Sequence, residues 1–292
     1  MRVIFCMLVF AAFSSNLATG QTPSDAHLFD SDVVPIRYVH IGDGEPVVLI
    51  HGFGGRLEFW QETGIAEALT EAGFAVIAYD GRGHGQSGKP YDPAHYIDEE
   101  VQDVVRLLDH LSIDRAHVVG YSRGAGIASR FITQYPGRVR SVVFGGWGVA
   151  NPVETLPRKD CLATGDLLAQ EAFPLPLMRA LNPPGAPLQT ADEQAALARQ
   201  FAARNDMRAL AAAFRANCDA PRITSADLRK TGIPALAIVG ERDGMAPAAQ
   251  TMGDDMGGAM QVVVIEGTHH FTAPGHPQFV ARLVNFLLDP RD

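Results

Sequence analysis

Six short apolar runs, most of them separated by amphipathic stretches, constrain this chain more than any other feature. They are Pro46–Ile50 (PVVLI), Ala75–Tyr79 (AVIAY), His117–Gly120 (HVVG), Ser141–Phe144 (SVVF), Ala235–Val239 (ALAIV) and Gln261–Ile265 (QVVVI). Their apolar content is continuous rather than alternating, which marks strands covered on both faces. Between them the period changes. Val101, Val104, Val105 and Leu108 recur at three- and four-residue spacing within Asp98–Leu111, and Phe279, Val280, Leu283, Leu287 and Leu288 do so within Pro277–Leu288. Strand–helix alternation of this kind implies an α/β fold, with a mostly parallel central sheet flanked by helices.

The alternation stops after Phe144 and resumes at Ile233. Asn151–Pro187 is rich in proline, and Thr190 with Glu193 then forms a capping-box signature ahead of an Ala-rich helix expected to reach about Asn205. A second helix is expected over Met207–Asn217. No strand signal occurs in this stretch, so residues 147–230 read as a helical lid inserted into the sheet domain. The domain plan is therefore a core in two parts, 21–146 and 231–292, with the lid between them.

Residues 1–20 stand apart. Arg2, the eleven-residue apolar run Val3–Phe13 and the small residues Ser14–Gly20 read as a secretory signal peptide, with cleavage expected near Gly20. The run is shorter than a bilayer core requires, so no stable membrane anchor is expected. The expected location is the periplasm or the exterior. Cys6 leaves with the signal, and in an oxidising compartment the remaining pair, Cys161 and Cys218, is expected to form a disulfide. The formal net charge of −9 argues against nucleic acid as a partner, because that polyanion rewards basic patches.

The chemistry concentrates in a few segments. GYSRGAG at Gly120–Gly126 places a serine two residues from a glycine on each side, between an expected strand and an expected helix. This pattern fits a sharp turn that lifts the Ser122 hydroxyl above the sheet edge. A serine is a weak nucleophile until a base takes its proton. Two later strands end in candidates: GERDGM places Asp243 after Ala235–Val239, and GTHHF places His269 and His270 after Gln261–Ile265. Catalytic groups in open parallel sheets gather at such strand ends. HGFGG at His51–Gly55 follows the first core strand, and the amides of Phe53 and Arg123 are the two donors expected to hold an oxyanion. Glu241 competes with Asp243 as the acid but lies closer to the strand end. Neither an HExxH pattern nor a clustered Cys/His set is present, so no metal is expected. No cofactor is implied, since HGFGG is not a phosphate-binding glycine loop.

HGFGG, the stretch YDGRGHGQSGKP at Tyr79–Pro90, the GYSRGAG turn, GERD and GTHHF resemble, in order and spacing, the α/β-hydrolase superfamily. The resemblance covers about Val33–Gly146 and Ile233–Leu288. It implies a nucleophile, acid and base in that chain order, here Ser122, Asp243 and His270. The family's base precedes a hydrophobic residue, which selects His270, followed by Phe271, over His269. Some members carry the acid one strand earlier, but Gly145–Trp147 holds none. Serine at the turn argues against the dehalogenases and epoxide hydrolases of this family, which carry aspartate there. His51 and His84 read as loop-shaping residues. Arg123 departs from the small or hydrophobic residue usual after the nucleophile; it reads as half of an ion pair or as a cation favouring an anionic substrate. Trp147, where the lid leaves the sheet, is expected to line an apolar pocket. The implied activity is cleavage of small carboxylic esters. Carbon–carbon bond hydrolysis, a lactonase or a perhydrolase-like reaction, and a non-catalytic ligand-binding protein are the alternatives.

Overall fold

Strand propensity and the twofold burial of the apolar runs produce one eight-stranded sheet in a computed structural model that describes residues 26–183, 185–187 and 189–290. The expected signal segment 1–20 lies outside the described residues. The strands are β1 His27–Ser31, β2 Val34–Ile41, β3 Glu45–Ile50, β4 Phe74–Tyr79, β5 Ala116–Tyr121, β6 Val139–Gly145, β7 Ala235–Gly240 and β8 Met260–Ile265. They lie in the order β1-β2-β4-β3-β5-β6-β7-β8. The β4-β3-β5-β6-β7-β8 portion is parallel, and β1 and β2 add antiparallel strands at one edge.

All six expected core strands are present, each within two residues of the reading. The β1–β2 hairpin was not expected. Its two-residue turn is Asp32-Val33, at φ 49° and 63°. Two consecutive positive φ values are what a tight hairpin turn needs, and glycine or asparagine usually signals them. An Asp-Val pair carries no such signal, so the turn was invisible in the sequence.

The helices are α1 Phe59–Glu62, α2 Ile65–Glu71, α3 Asp98–His110, α4 Arg123–Gln134, α5 Arg158–Ala169, α6 Leu175–Leu181, α7 Ala191–Ala202, α8 Met207–Ala216, α9 Ser225–Lys230, α10 Ala246–Met256 and α11 Pro277–Leu288. Successive residues of each strand point to opposite faces and so build two cores. Val48, Ile77, Val118 and Val142 pack with α3, α4, α9 and α10 through Val104, Phe131, Leu228 and Met252. Val47, Val76, Val119 and Val143 pack with α1, α2 and α11 through Trp60, Leu69, Phe279 and Leu283.

Between β6 and β7 the chain forms the helices α5 to α9 and no strand among the described residues. The Thr190–Glu193 capping box opens α7: Glu193 Oε2 accepts from the Thr190 amide at 2.7 Å. Helices α5 to α8 share a third core, built from Leu168, Leu177, Met178, Leu210 and Phe214, which rests on Val239 in β7 and Met245 beyond its end. α9 belongs with the sheet instead, because Leu228 enters the first core. Cys161 in α5 and Cys218 just past α8 are joined by a disulfide. A second clamp ties α8 to the segment before α3: the Tyr91 hydroxyl donates to Asp206 Oδ2 at 3.0 Å, and the Arg208 guanidinium lies 4.3 Å over the Tyr91 ring. Among the described residues no helix is long and apolar enough to cross a membrane.

The disulfide spans 57 residues, and closing a loop of that length removes about 4 kcal/mol of denatured-chain entropy at 25 °C. Reduction, or Cys161→Ala with Cys218→Ala, is expected to destabilise the segment between β6 and β7 by up to about that amount. Denaturation with and without dithiothreitol, read alongside limited proteolysis of residues 158–219, measures it.

Candidate functional site

The sheet changes direction of growth between β3 and β5: the chain adds β4 on one side of β3, then crosses to place β5 on the other. Strand ends at such a switch point open a crevice, because the connections leave toward opposite faces of the sheet. Ile50 lies beside Gly120 at the carboxyl end of this pair. The His51–Gly55 loop and the turn at Ser122 therefore meet.

Their closeness demands glycine. A Cβ on Gly124 would stand 2.0 Å from the Ile50 carbonyl oxygen, and one on Gly120 would stand 2.4 Å from the Gly124 oxygen. Gly126 is different, for a Cβ there would meet nothing nearer than Trp147 Nε1 at 3.5 Å. The turn bends the backbone of Ser122 to φ 54° and ψ −120°. A side chain in that region costs on the order of 1–3 kcal/mol, and the surrounding packing holds it there. The Ser122 amide donates to Gly145 O at 2.7 Å, continuing the β5–β6 ladder through the bend.

The structure brings Ser122, His270 and Asp243 into one chain of hydrogen bonds. Ser122 Oγ lies 3.0 Å from His270 Nε2, and His270 Nδ1 lies 2.8 Å from Asp243 Oδ2. An ionised carboxylate only accepts, so the Nδ1–H donates to it and Nε2 is left to accept the serine proton. Asp243 is buried, and its other oxygen accepts from the Met245 amide at 2.9 Å. The loops carrying Asp243 and His270 are tied to each other, Arg242 N donating to Thr268 O at 2.8 Å. Tyr121, the residue before Ser122, donates its hydroxyl to the His270 carbonyl at 2.5 Å. Burial pushes its phenol well above the usual tyrosine range, which keeps the donor proton in place.

The competing residues lie elsewhere. His269 is half-exposed and its Nδ1 accepts from the Phe271 amide at 3.3 Å. Glu241 accepts from the Gly267 amide at 3.0 Å, on the surface. His51 and His84 shape loops: His51 Nε2 accepts from Gly81 N at 3.0 Å, and His84 Nδ1 donates to Arg82 O at 2.9 Å. Burial lowers both imidazoles below their ordinary range, so both stay neutral.

Arg123 is the first residue of α4, so its amide has no acceptor within the helix. Phe53 follows Gly52, whose Cβ would stand 3.3 Å from Ser122 Cβ. Both amides thus belong to segments in contact with Ser122. The Arg123 side chain turns away to Glu100, its Nη2 2.6 and 2.7 Å from the two carboxylate oxygens. Its charge is answered there, which leaves little of it for an anionic substrate. Burial pushes the Glu100 carboxyl up, and Arg123 opposes that.

A cavity of about 350 Å³ opens over Ser122 and His270. Its walls come from the His51–Gly55 loop, α4 and the helices α5 to α8, with Phe201, Leu177, Met178 and Phe271 among the apolar contributors. Trp147 lines it and donates Nε1–H to Glu154 Oε1 at 2.9 Å. Glu154, Arg130 and Tyr121 escaped the reading of the sequence. Tyr121 sits inside the GYS motif, but its role depends on a partner 149 residues away.

Residues 45–160 match the family model of the α/β-hydrolase fold. With this sheet, the chain has the α/β-hydrolase fold. Its sequence is 39% identical over 121 residues to a protein of Variovorax paradoxus provisionally named carbamate hydrolase RutD, a match covering 40% of this chain and 45% of that protein. The chain spans under half the length of the curated relatives it matches. Two solved structures resemble it over nearly their whole length. One is a bromoperoxidase from Bacillus anthracis, with TM-score 0.73 and 25% identity over 91% of this chain and 100% of that one. The other is from a study of carboxylesterases of the thaumarchaeon Nitrososphaera gargenis, with TM-score 0.71 and 25% identity over 90% and 97%.

Gly124→Ala is expected to abolish folding or cost more than about 3 kcal/mol, since backbone cannot yield 2.0 Å contacts cheaply. Gly126→Ala is expected to leave stability unchanged or raise it by up to about 1 kcal/mol, as alanine replaces a helical glycine. Glu100→Gln is expected to cost about 3 kcal/mol by leaving Arg123 uncompensated, and Glu100→Leu with Arg123→Leu to recover most of it. Urea denaturation of the four variants checks all of this.

Proposed function

We propose that this protein is a serine hydrolase that cleaves carboxylic esters through an acyl-enzyme. The observation that carries the reading is the Asp243–His270–Ser122 chain, at 2.8 and 3.0 Å, opening into an apolar cavity. His270 Nε2 takes the Ser122 proton as Oγ attacks the ester carbonyl. Asp243 holds the ring in that tautomer and stabilises its cationic form. The amides of Phe53 and Arg123 receive the oxyanion, helped by the positive end of α4. The tetrahedral intermediate collapses as His270 returns its proton to the leaving alkoxide, releasing an alcohol. Water then attacks the acyl-enzyme with the same base, freeing the acid and restoring Ser122.

The helices α5 to α8 act in this reading as a lid that supplies most of the apolar pocket, Trp147 standing at its root. The Cys161–Cys218 bond supports an oxidising location, periplasmic or extracellular, for the mature chain. The partner is a small ester; an acidic surface gives nucleic acid no foothold.

The test is hydrolysis of p-nitrophenyl esters from acetate to dodecanoate. Activity is expected to peak at one chain length and to fall at least about a thousandfold in Ser122→Ala, His270→Ala and Asp243→Asn. A folded protein that a fluorophosphonate probe labels at Ser122, yet that cleaves no ester in the series, would move the reaction to lactone or carbon–carbon substrates. Absence of labelling would point to a binding role.

A further inference from the structure

The helix that begins at Ser122 lines the cavity for two further turns. Gly126 and Arg130 follow Ser122 at four-residue intervals and both face the cavity, since residues four apart share one side of a helix. Arg130 stands about 12 Å along the axis from the nucleophile, and helical side chains lean back toward the N-terminus. Gly126 leaves the wall between them bare.

The charges on this wall do not balance. Arg123 is answered by Glu100 at 2.6 Å. Arg130 is not: among the described residues its guanidinium forms neither an ion pair nor a hydrogen bond, and the same holds for the guanidinium of Arg222, which also lines the cavity. Glu154 attracts both guanidinium groups from beyond ion-pair distance while its carboxylate accepts from Trp147 Nε1 at 2.9 Å. Over the whole cavity five arginines face three glutamates, in a chain whose formal charge is −9. Burial pulls the Arg130 guanidinium below the ordinary arginine range, Glu154 opposing it. A half-buried cation without a partner is a desolvation cost that a bound anion would remove.

We propose that Arg130, assisted by Arg222, forms a carboxylate-binding subsite, and that the ester cleaved at Ser122 carries a carboxylate about two helical turns from its scissile carbonyl. The proposal rests on the ester-cleaving reading and narrows its substrates to monoesters of dicarboxylic acids or acyl esters of hydroxy acids. A guanidinium fork suits a carboxylate because two parallel N–H donors match its two oxygens. The apolar walls contributed by α5 to α8 cover the methylenes between the two ends.

The test compares kcat/KM for p-nitrophenyl monoesters of succinate, adipate, suberate and sebacate with that for the same esters capped as methyl esters. Acetate esters of hydroxy acids and their methyl esters put the carboxylate on the other side of the scissile bond. In the wild-type protein the charged ester is expected to exceed its capped counterpart tenfold or more at one length in one series, mainly through KM. That ratio is expected to shrink in 0.5 M salt, to fall close to one in Arg130→Gln, to be intermediate in Arg130→Lys, and to drop by a smaller factor in Arg222→Gln. A wild-type ratio near one at every length in both series would overturn the subsite. So would a ratio that Arg130→Gln leaves intact in a protein with unchanged circular dichroism. Should Arg130→Gln not fold, the salt response and Arg222→Gln decide the matter. Cleavage of the capped esters, lost in Ser122→Ala, upholds the ester reading whatever the ratio proves to be.

Discussion

The site depends on one contact, the seating of the first turn of α4 against the carboxyl end of β3. Gly120 and Gly124 make that seating possible, since any side chain there would enter the backbone of the neighbouring segment. The seating forces the sharp bend at Ser122, and the bend lifts the hydroxyl out of the sheet toward the crevice at the switch point. The same contact sets the amide of Arg123 and the His51–Gly55 loop beside Ser122. Strain at φ 54° is held by the ladder bond from Ser122 to Gly145 and by burial of the flanking strands.

The remaining machinery hangs from the sheet at greater sequence distance. Tyr121 reaches His270 with its hydroxyl, so the residue before Ser122 also positions the imidazole. Asp243 is held by its own loop through the Met245 amide and bonds the imidazole with its free oxygen. Three strand ends thus converge on three side chains, held by the Ser122 ladder bond, the Tyr121 hydroxyl and the Met245 amide. The Arg123–Glu100 pair anchors the start of α4 to α3, well inside the protein, and a buried pair of this kind fixes geometry more surely than it adds stability.

Much of this was legible in the sequence, for identifiable reasons. The six core strands announce themselves because burial on both faces requires unbroken apolar runs. Asp98–His110 and Pro277–Leu288 announce themselves through helical spacing. The hairpin β1–β2 did not, because its Asp-Val turn lacks the residues that usually mark positive φ. The preference for His270 over His269 came from resemblance, and the structure supplies the geometry that periodicity could not. Within the segment between β6 and β7, Leu177 and Phe201 look like ordinary amphipathic-helix residues. Whether such a side chain fills a core or faces a cavity is set by what stands opposite, and local pattern is blind to that.

The sequence by itself determined the parallel sheet and the glycine-flanked serine, because each rests on backbone sterics or on the period of burial within a few residues; the order Ser122, Asp243, His270 came from resemblance. Tertiary structure alone decided which groups meet. Tyr121 with His270, Arg123 with Glu100 and Trp147 with Glu154 are partners chosen by packing, as is the placing of Arg130 on a cavity wall, its guanidinium without an ion-pair partner among the described residues. Hydrogen bonds and charge act over a few ångströms, and only the folded chain brings residues so far apart in sequence within that reach.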